Sequence, residues 1–166
     1  IAGAWGSGYQ YKIDTIKGFS HIHAWQISGL SVMPVVLSKE NKKNIYKDFY
    51  SKFSHEKELI KPGYHYLELD RYNIKASLTS TTRVGLHKYE FPKNESGAIL
   101  FNLNTPLGPC KNIDGKLQKI SDHELSGTFI ATPTRRRPKL LTIYFKIHLD
   151  TKVESVELDE ETGNYL

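Results

Sequence analysis

A two-residue alternation of apolar and polar positions is the sequence feature that most constrains how this chain folds. From Leu141 to Leu149 every odd position is apolar, and the positions between them are polar apart from Tyr144. The stretch Asn73–Thr79 repeats the pattern. Successive side chains of a strand point to opposite faces of its sheet, so both stretches predict half-buried β-strands.

Similar stretches recur along the chain and together predict an all-β fold. The apolar residues of Arg83–Phe91 change phase between Leu86 and Tyr89, which predicts a β-bulge. Only Lys39–Lys47 and His55–Ile60 are compatible with a helix, and both are short. Many strands without a long amphipathic helix indicate an antiparallel β-sandwich. Further strands are predicted over Ile16–Ile22, Leu30–Leu37, Tyr64–Asp70, Ala98–Leu103, Lys116–Ser121, Leu125–Thr132 and Val153–Leu158.

Length and composition predict one globular domain over residues 1–166. The chain has 166 residues, of which 39% are hydrophobic and 25% are charged, so it can bury a core. Its single cysteine, Cys110, excludes an internal disulfide, and with no basic partner evident nearby we expect an unreactive thiol. The sequence opens at Ile1 without an initiating methionine, and we therefore expect a segment of a longer protein.

Charge and hydropathy argue against nucleic acid and membrane partners. The net charge is +5, but the basic residues are scattered, and the one tight run is Arg135–Arg137. Pro133 and Pro138 flank this run and predict an exposed loop rather than a nucleic-acid-binding surface. No apolar stretch approaches the roughly 18 residues that a membrane-spanning helix needs.

The segment Gly18–Gln26 holds the first candidate site residues. His21 and His23 are two positions apart, so on a strand they would share a face and could ligate a metal, although no third ligand lies at a suitable spacing. Trp25 could stack on the apolar face of a pyranose while Gln26 and the histidines bind hydroxyl groups. The same residues could equally be satisfied within the core, and the residue pattern leaves these interpretations open.

A second polar segment, Phe53–Leu59, contains two glutamates. Glycoside hydrolysis needs two carboxyl groups about 5–9.5 Å apart on either side of one bond. Glu56 and Glu58 are two residues apart in a predicted turn, and Lys57 lies between them. We therefore do not expect a catalytic pair here, and instead expect His55 and Glu56 to cap a short turn before Pro62.

Taken together, these segments resemble glycoside hydrolase family 92, the calcium-dependent exo-acting α-mannosidases. The resemblance runs over roughly residues 7 to 150, with its characteristic words in the family's order. The matching words are Ser7-Gly8-Tyr9, Ile16-Lys17-Gly18-Phe19-Ser20-His21-Ile22-His23, Phe53-Ser54-His55-Glu56-Lys57-Glu58, Pro62-Gly63-Tyr64, Ile74 through Gly85, and His87-Lys88-Tyr89-Glu90-Phe91-Pro92.

The resemblance implies the N-terminal β-sandwich of such an enzyme, of the galactose-mutarotase-like supersandwich type. In that family it packs on an (α/α)6 catalytic domain, which these 166 residues do not contain. The general acid, the general base and the Ca²⁺ ligands are expected in that domain, and hydrolysis inverts the anomeric centre. The implied substrate is an α-mannoside or mannose-containing glycan, and the enzyme is expected to be exported from a bacterium to the periplasm, cell surface or medium.

The resemblance also favours sugar contact by at least one of four residues, His21, His23, Trp25 and Gln26. The competing interpretation is that the histidines join the two domains by hydrogen bonds. The chain departs from the family after His23, where Ala24-Trp25-Gln26-Ile27-Ser28-Gly29 follows, and this leaves the mannosidic linkage open. The alternative function is a free-standing carbohydrate-binding module. In either case, apolar surface left uncovered by a missing domain predicts self-association.

Overall fold

The chain forms short antiparallel β-strands joined by tight turns. A computed structural model describes residues 9–20, 22–24, 27–104 and 111–166, with the side chains of 23, 24 and 28 excepted. Within these ranges there is no α-helix, and no helix has the length and hydrophobicity needed to span a bilayer. The strands are β1 (Thr15–Ile16), β2 (Ile22–Ala24), β3 (Ile27–Gly29), β4 (Ser31–Leu37), β5 (Ser51–Lys52), β6 (Leu59–Lys61), β7 (Tyr64–Leu69), β8 (Ile74–Ser80), β9 (Gly85–Glu90), β10 (Ser96–Asn102), β11 (Asn112–Ser121), β12 (Glu124–Ala131), β13 (Leu141–His148), β14 (Leu158–Asp159) and β15 (Asn164–Tyr165).

These elements divide into two compact units. Unit A contains residues 9–20 and 32–100, and unit B contains the described residues within 22–31 and 101–166. Both units consist of antiparallel sheets, and the prediction of an all-β antiparallel β-sandwich is confirmed. The predicted extent of the domain, residues 1–166 beside a missing catalytic domain, stays a prediction.

Unit A is organised around the four-stranded sheet β6-β7-β8-β9. Its inner face carries Leu67, Leu69, Ile74 and Ala76, all fully buried. The apolar residues alternate with polar ones along β7 and β8, which is why one face of each strand is buried and the other exposed. The short pair β1-β5 and the neighbours β4 and β10 supply the other strands.

Unit B is organised around the three-stranded sheet β11-β12-β13. The buried side chains Leu117, Leu125, Phe129 and Ala131 lie on one face of this sheet. In β3, Gly29 has a φ of 157°, and a Cβ atom there would clash with the Phe129 ring, so only glycine lets the backbone approach this core. The β2-β3 hairpin also belongs to unit B, as do the pairings of Tyr165 with Phe101 and Leu158.

The predicted bulge in Arg83–Phe91 is wrong. Strand β9 pairs with β8 in unbroken register from Ser80↔Gly85 to Lys75↔Glu90. His87 and Tyr89 face inward, whereas Leu86 lies on the outer face with 62% of its surface exposed. The change of apolar phase thus reflects an exposed leucine on the solvent face rather than an extra residue in the strand.

Two predicted strands also differ from the observed elements, and residues 39–47 do not form the helix with which their sequence is compatible. The predicted strand Ile16–Ile22 is broken: β1 ends at Ile16, Gly18 has a φ of 150°, and Phe19 makes an isolated bridge to Val32. Residues 39–47 form consecutive turns, with the Asn41 side chain donating to the Val36 carbonyl. Of the predicted strand Val153–Leu158, only Leu158 lies in a strand.

Candidate functional site

The candidate site in unit A is built around the side chain of Glu58. Ser54 begins a single 3₁₀ turn, His55–Lys57, and its hydroxyl accepts a hydrogen bond from the Glu56 amide at 3.2 Å. The chain then enters β6 with an extended Glu58. This geometry turns the Glu58 side chain inward, where only 4% of it is exposed. The predicted turn is therefore present, but Ser54 caps it, and Glu56 is exposed.

Three side chains donate hydrogen bonds to the Glu58 carboxylate. His55 Nδ1 lies 2.6 Å from Oε2, His65 Nε2 lies 2.7 Å from Oε1, and the Tyr9 hydroxyl lies 3.0 Å from Oε2. An ionised carboxylate only accepts hydrogen bonds, so each histidine nitrogen that faces it must carry a proton. In its neutral form His65 therefore keeps Nδ1 as an acceptor, and His55 keeps Nε2 as an acceptor.

These contacts also decide the protonation of Glu58. Burial alone would raise its pKa, but the hydrogen bonds from His55, His65 and Tyr9 outweigh the burial, and the pKa of Glu58 is lowered from its ordinary value of 4.5. At neutral pH the group is an ionised acceptor, and each of its oxygens already accepts at least one hydrogen bond. Such a carboxylate orients its neighbours rather than donating a proton.

Aromatic rings enclose the histidines of this cluster. Tyr11 stacks on His55 with ring centroids 4.4 Å apart, and Phe53 meets the same ring edge-on at 5.0 Å. Tyr9 packs edge-on against His65 at 6.1 Å. This packing fixes the ring planes as well as the hydrogen bonds. The cluster is thus preorganised and holds the segment 9–11 against the β6-β7 hairpin.

A pocket of about 330 Å³ adjoins this cluster at the end of the inner face of the β6–β9 sheet. The register places Ile60, His65 and Leu78 side by side there. The wall next to Gly63 is tied in place because the Thr79 hydroxyl donates to the Gly63 carbonyl at 2.6 Å. The pocket combines an apolar floor with hydroxyl and imidazole groups, and its principal lining residues are Tyr9, Phe19, Ser20, His65, Leu78 and Thr79.

Phe19 supports the pocket from the core side. It is buried, its backbone bridges Val32, and its ring contacts His87 and Tyr89 at centroid distances of 6.3 and 6.1 Å. The Tyr89 hydroxyl and His87 Nδ1 lie 2.5 Å apart, and burial raises the pKa of Tyr89, so this phenol stays neutral. Phe19 is therefore a structural residue, whereas its neighbour Ser20 opens onto the pocket.

The four predicted sugar-binding residues follow Ser20 directly in the sequence. His21, Trp25 and Gln26 lie outside the described residues. The backbone of His23 is described, and it pairs with Ser28 in the β2-β3 hairpin, but its side chain is not. Sugar contact by these residues stays a prediction.

The sequence reasoning missed the joint role of Tyr9, His55, Glu58 and His65. A signal for part of the cluster was present in the turn Pro62-Gly63. A hairpin closing there pairs Ile60 with His65 and so brings the start of β6 close to that histidine. The contribution of Tyr9 comes from 49 positions away and has no local sequence signal.

The chemistry available to this cluster is binding rather than hydrolysis. Cleavage of a glycosidic bond needs both an acid and a base or nucleophile. Glu58 is ionised and already accepts three hydrogen bonds, and Glu56 is exposed. Among the described residues, no three histidine, cysteine, aspartate or glutamate side chains are arranged to hold a metal ion.

The fold defines an all-β, antiparallel β-sandwich domain. The model of the glycosyl hydrolase family 92 N-terminal domain matches residues 2–164. The chain therefore belongs to this family and represents its N-terminal domain. A comparison with curated protein sequences finds no match.

Solved structures of larger proteins share this fold. The family GH92 α-mannosidase BT3965 from Bacteroides thetaiotaomicron, in complex with mannoimidazole, aligns over 94% of this chain with a TM-score of 0.75 and 22% identity. Another structure of BT3965 from the same organism aligns over 94% of this chain with a TM-score of 0.73 and 23% identity. The GH92 family glycosyl hydrolase ccman5 aligns over 84% of this chain with a TM-score of 0.63 and 21% identity. The chain spans only 20–22% of the length of these proteins.

Proposed function

We propose that this chain serves as the sugar-contacting N-terminal domain of a two-domain α-mannosidase. The family match over residues 2–164 carries the proposal. In this scheme a catalytic domain supplies the acid, the base and the Ca²⁺ ligands, and the reaction inverts the anomeric centre. The present chain supplies contacts to a terminal α-linked mannose from the segment that follows Ser20. The enzyme acts after export from a bacterial cell.

The pocket of unit A supports this assignment. Ser20 lines it, and the candidate residues His21, His23, Trp25 and Gln26 follow in the sequence. Binding sites for sugars combine an apolar surface with a few directed polar groups, and here Ile60 and Leu78 supply the apolar surface. Ser20, His65 and Thr79 supply the polar groups. Glu58 holds His65 in one tautomer, so a hydroxyl donor would find a fixed acceptor.

The assignment of catalysis to the other domain can be tested by assaying the isolated chain and the two-domain enzyme on an aryl α-mannoside. We expect turnover by the two-domain enzyme and none by the chain alone, because in this proposal the acid and the base belong to the other domain. Turnover by the chain alone would refute the proposal. Tight binding of α-mannobiose by the chain, abolished by Trp25→Ala, would instead indicate a free-standing carbohydrate-binding module.

Sugar contact can be tested in the two-domain enzyme by separate alanine substitutions at His21, His23, Trp25 and Gln26. At least one should lower kcat/KM by about tenfold or more, the size expected for loss of a directed ligand contact. Tyr50→Ala, an exposed aromatic outside the pocket, is the control and should leave kcat/KM unchanged. Four variants with wild-type kinetics would remove the sugar-contact part of the proposal.

A further inference from the structure

A groove of about 590 Å³ lies on the outer face of the β11-β12-β13 sheet in unit B. The strand register places its side chains in two rows across the sheet. One row is Lys116, Thr128 and Tyr144, and the next is Gln118, Ser126 and Lys146. Paired residues of antiparallel strands share a face, so all six project away from the buried face that carries Phe129.

The groove owes its shape to the sizes of these side chains. The central strand β12 contributes only the short Ser126 and Thr128, which form the floor. The flanking strands contribute long side chains, Lys116 and Gln118 on one side and Tyr144 and Lys146 on the other. Gln118 donates to the Ser126 hydroxyl at 3.3 Å, which directs its amide across the groove toward the floor.

Tyr144 is the side chain that indicates the ligand. It lies in the middle of an eight-residue strand, yet 78% of its surface is exposed, so its ring does not pack in the core of the described chain. An exposed tyrosine ring offers an apolar face for the C–H groups of a pyranose, with a hydroxyl at its tip. Beside it stand amide and hydroxyl groups that can donate and accept.

The charges in the groove favour a neutral ligand over an anion. Lys146 pairs with Glu124 at 2.9 Å, and His148 lies 3.3 Å from the other oxygen of the same carboxylate. The positive charge of Lys146 is therefore already compensated within the protein. Among the residues that line the groove, Lys116 is the cation that forms no described ion pair. None of the lining residues carries a carboxylate.

We infer that this groove binds a neutral polysaccharide chain, with one sugar ring stacked on Tyr144 and its hydroxyls bonded to Gln118, Ser126 and Thr128. The site belongs to unit B and is separate from the pocket of unit A. It carries no catalytic group and would act by raising the local concentration of a polymeric substrate. Its existence does not depend on the proposed mannosidase activity, which only suggests mannan as the first probe.

The test is affinity electrophoresis and calorimetric titration of this chain with soluble α-mannan, β-glucan and xylan. Tyr144→Ala should weaken binding by about tenfold, since loss of a stacked aromatic is among the larger single-residue effects at binding sites. Thr128→Trp, which fills the groove from its floor, should also abolish retention. Tyr50→Ala is the matched control, because it removes another exposed tyrosine, in unit A, and should bind as wild type.

The outcomes separate this inference from its alternatives. Failure to bind any neutral polysaccharide, or binding that both groove variants retain, would overturn it. A steep loss of affinity with added salt would also overturn it, because that response indicates an anionic ligand held by lysines. Binding that is lost with Trp25→Ala but kept with Tyr144→Ala would place the sugar at the predicted segment instead. Circular dichroism of each variant checks that the fold is intact.

Discussion

At the scale of single residues, the Glu58 carboxylate shows how a buried charge is tolerated in this domain. An ionised group removed from water costs several kcal/mol unless hydrogen bonds replace its hydration. Here three donors from separate parts of the chain supply those bonds. The carboxylate accepts a hydrogen bond from each of Tyr9, His55 and His65 and therefore fixes all three side chains. Each of those side chains contributes only one of the three bonds.

Glu58→Gln should destabilise the protein by about 2 kcal/mol. The amide keeps the shape of the side chain, but its NH₂ group would face an N–H donor, and two charge-assisted bonds would be weakened or lost. Urea unfolding followed by circular dichroism measures the change. Glu56→Gln, an exposed glutamate of the same turn, is the control and should change stability by less than about 0.5 kcal/mol. Equal effects of the two substitutions would show that the cluster contributes nothing specific.

The contribution of Glu58 to stability should also depend on pH in a defined direction. Because its pKa is lower in the folded state than its ordinary value of 4.5, the stabilisation is fully present above that value and is lost as the pH falls through the folded pKa. The advantage of the wild type over Glu58→Gln should therefore decrease as the pH falls below 4.5.

Urea unfolding of both proteins at several pH values measures this difference. Other carboxylates with lowered pKa values, such as Glu68 and Glu124, titrate in both proteins and cancel in the comparison. A difference that stays constant down to about pH 3 would contradict the prediction.

At the scale of elements, alternation predicted the strands that have one face in the core. β7, β8, β12 and β13 follow it closely, because burial of one face imposes a period of two. Alternation failed in β9, where Leu86 is exposed on the outer face. It also failed before Phe19, where a single buried residue is placed by a bridge to Val32 rather than by a strand. A two-residue period in the sequence does not predict a single buried residue of this kind.

The arginine run Arg135–Arg137 has divided roles that charge alone could not predict. The Arg137 guanidinium donates to the carbonyls of Thr132 at 2.6 Å and Lys139 at 2.5 Å, which closes the loop between β12 and β13. Arg137→Ala should destabilise the protein by about 1–3 kcal/mol, because these carbonyls lose a charged donor. Arg135→Ala, at an exposed position, should be nearly neutral in the same thermal unfolding assay. The hypothesis fails if Arg135→Ala costs as much as Arg137→Ala.

At the scale of the whole molecule, the fold and the family could be predicted from the sequence, but the arrangement of the candidate site could not. The fold follows from many residues that each repeat the same pattern. The Glu58 cluster depends on Tyr9, a hairpin and a 3₁₀ turn meeting at one place, and each of these is unremarkable alone. Contacts of this kind, between residues far apart in the sequence, arise from tertiary packing, and the local sequence does not predict them.

The outer face of the β6–β9 sheet should make this chain self-associate when no other domain covers it. The register places Tyr64 and Leu86 on either side of Thr79, and Leu59 beside Tyr66. Of these large side chains, Leu59, Tyr64 and Leu86 are exposed. Contiguous apolar groups on one sheet face bury one another when two copies meet, whereas scattered ones do not.

Leu86→Lys should therefore lower the sedimentation coefficient measured at high protein concentration, because a charged group on the edge strand β9 of this face opposes its burial. Leu140→Lys is the matched control, since Leu140 is 61% exposed, against 62% for Leu86, but lies in unit B. That variant should sediment as the wild type does. A wild-type chain that stays monomeric at every concentration would show that this face does not associate. If both leucine variants reduce association equally, the added charge rather than the position is responsible.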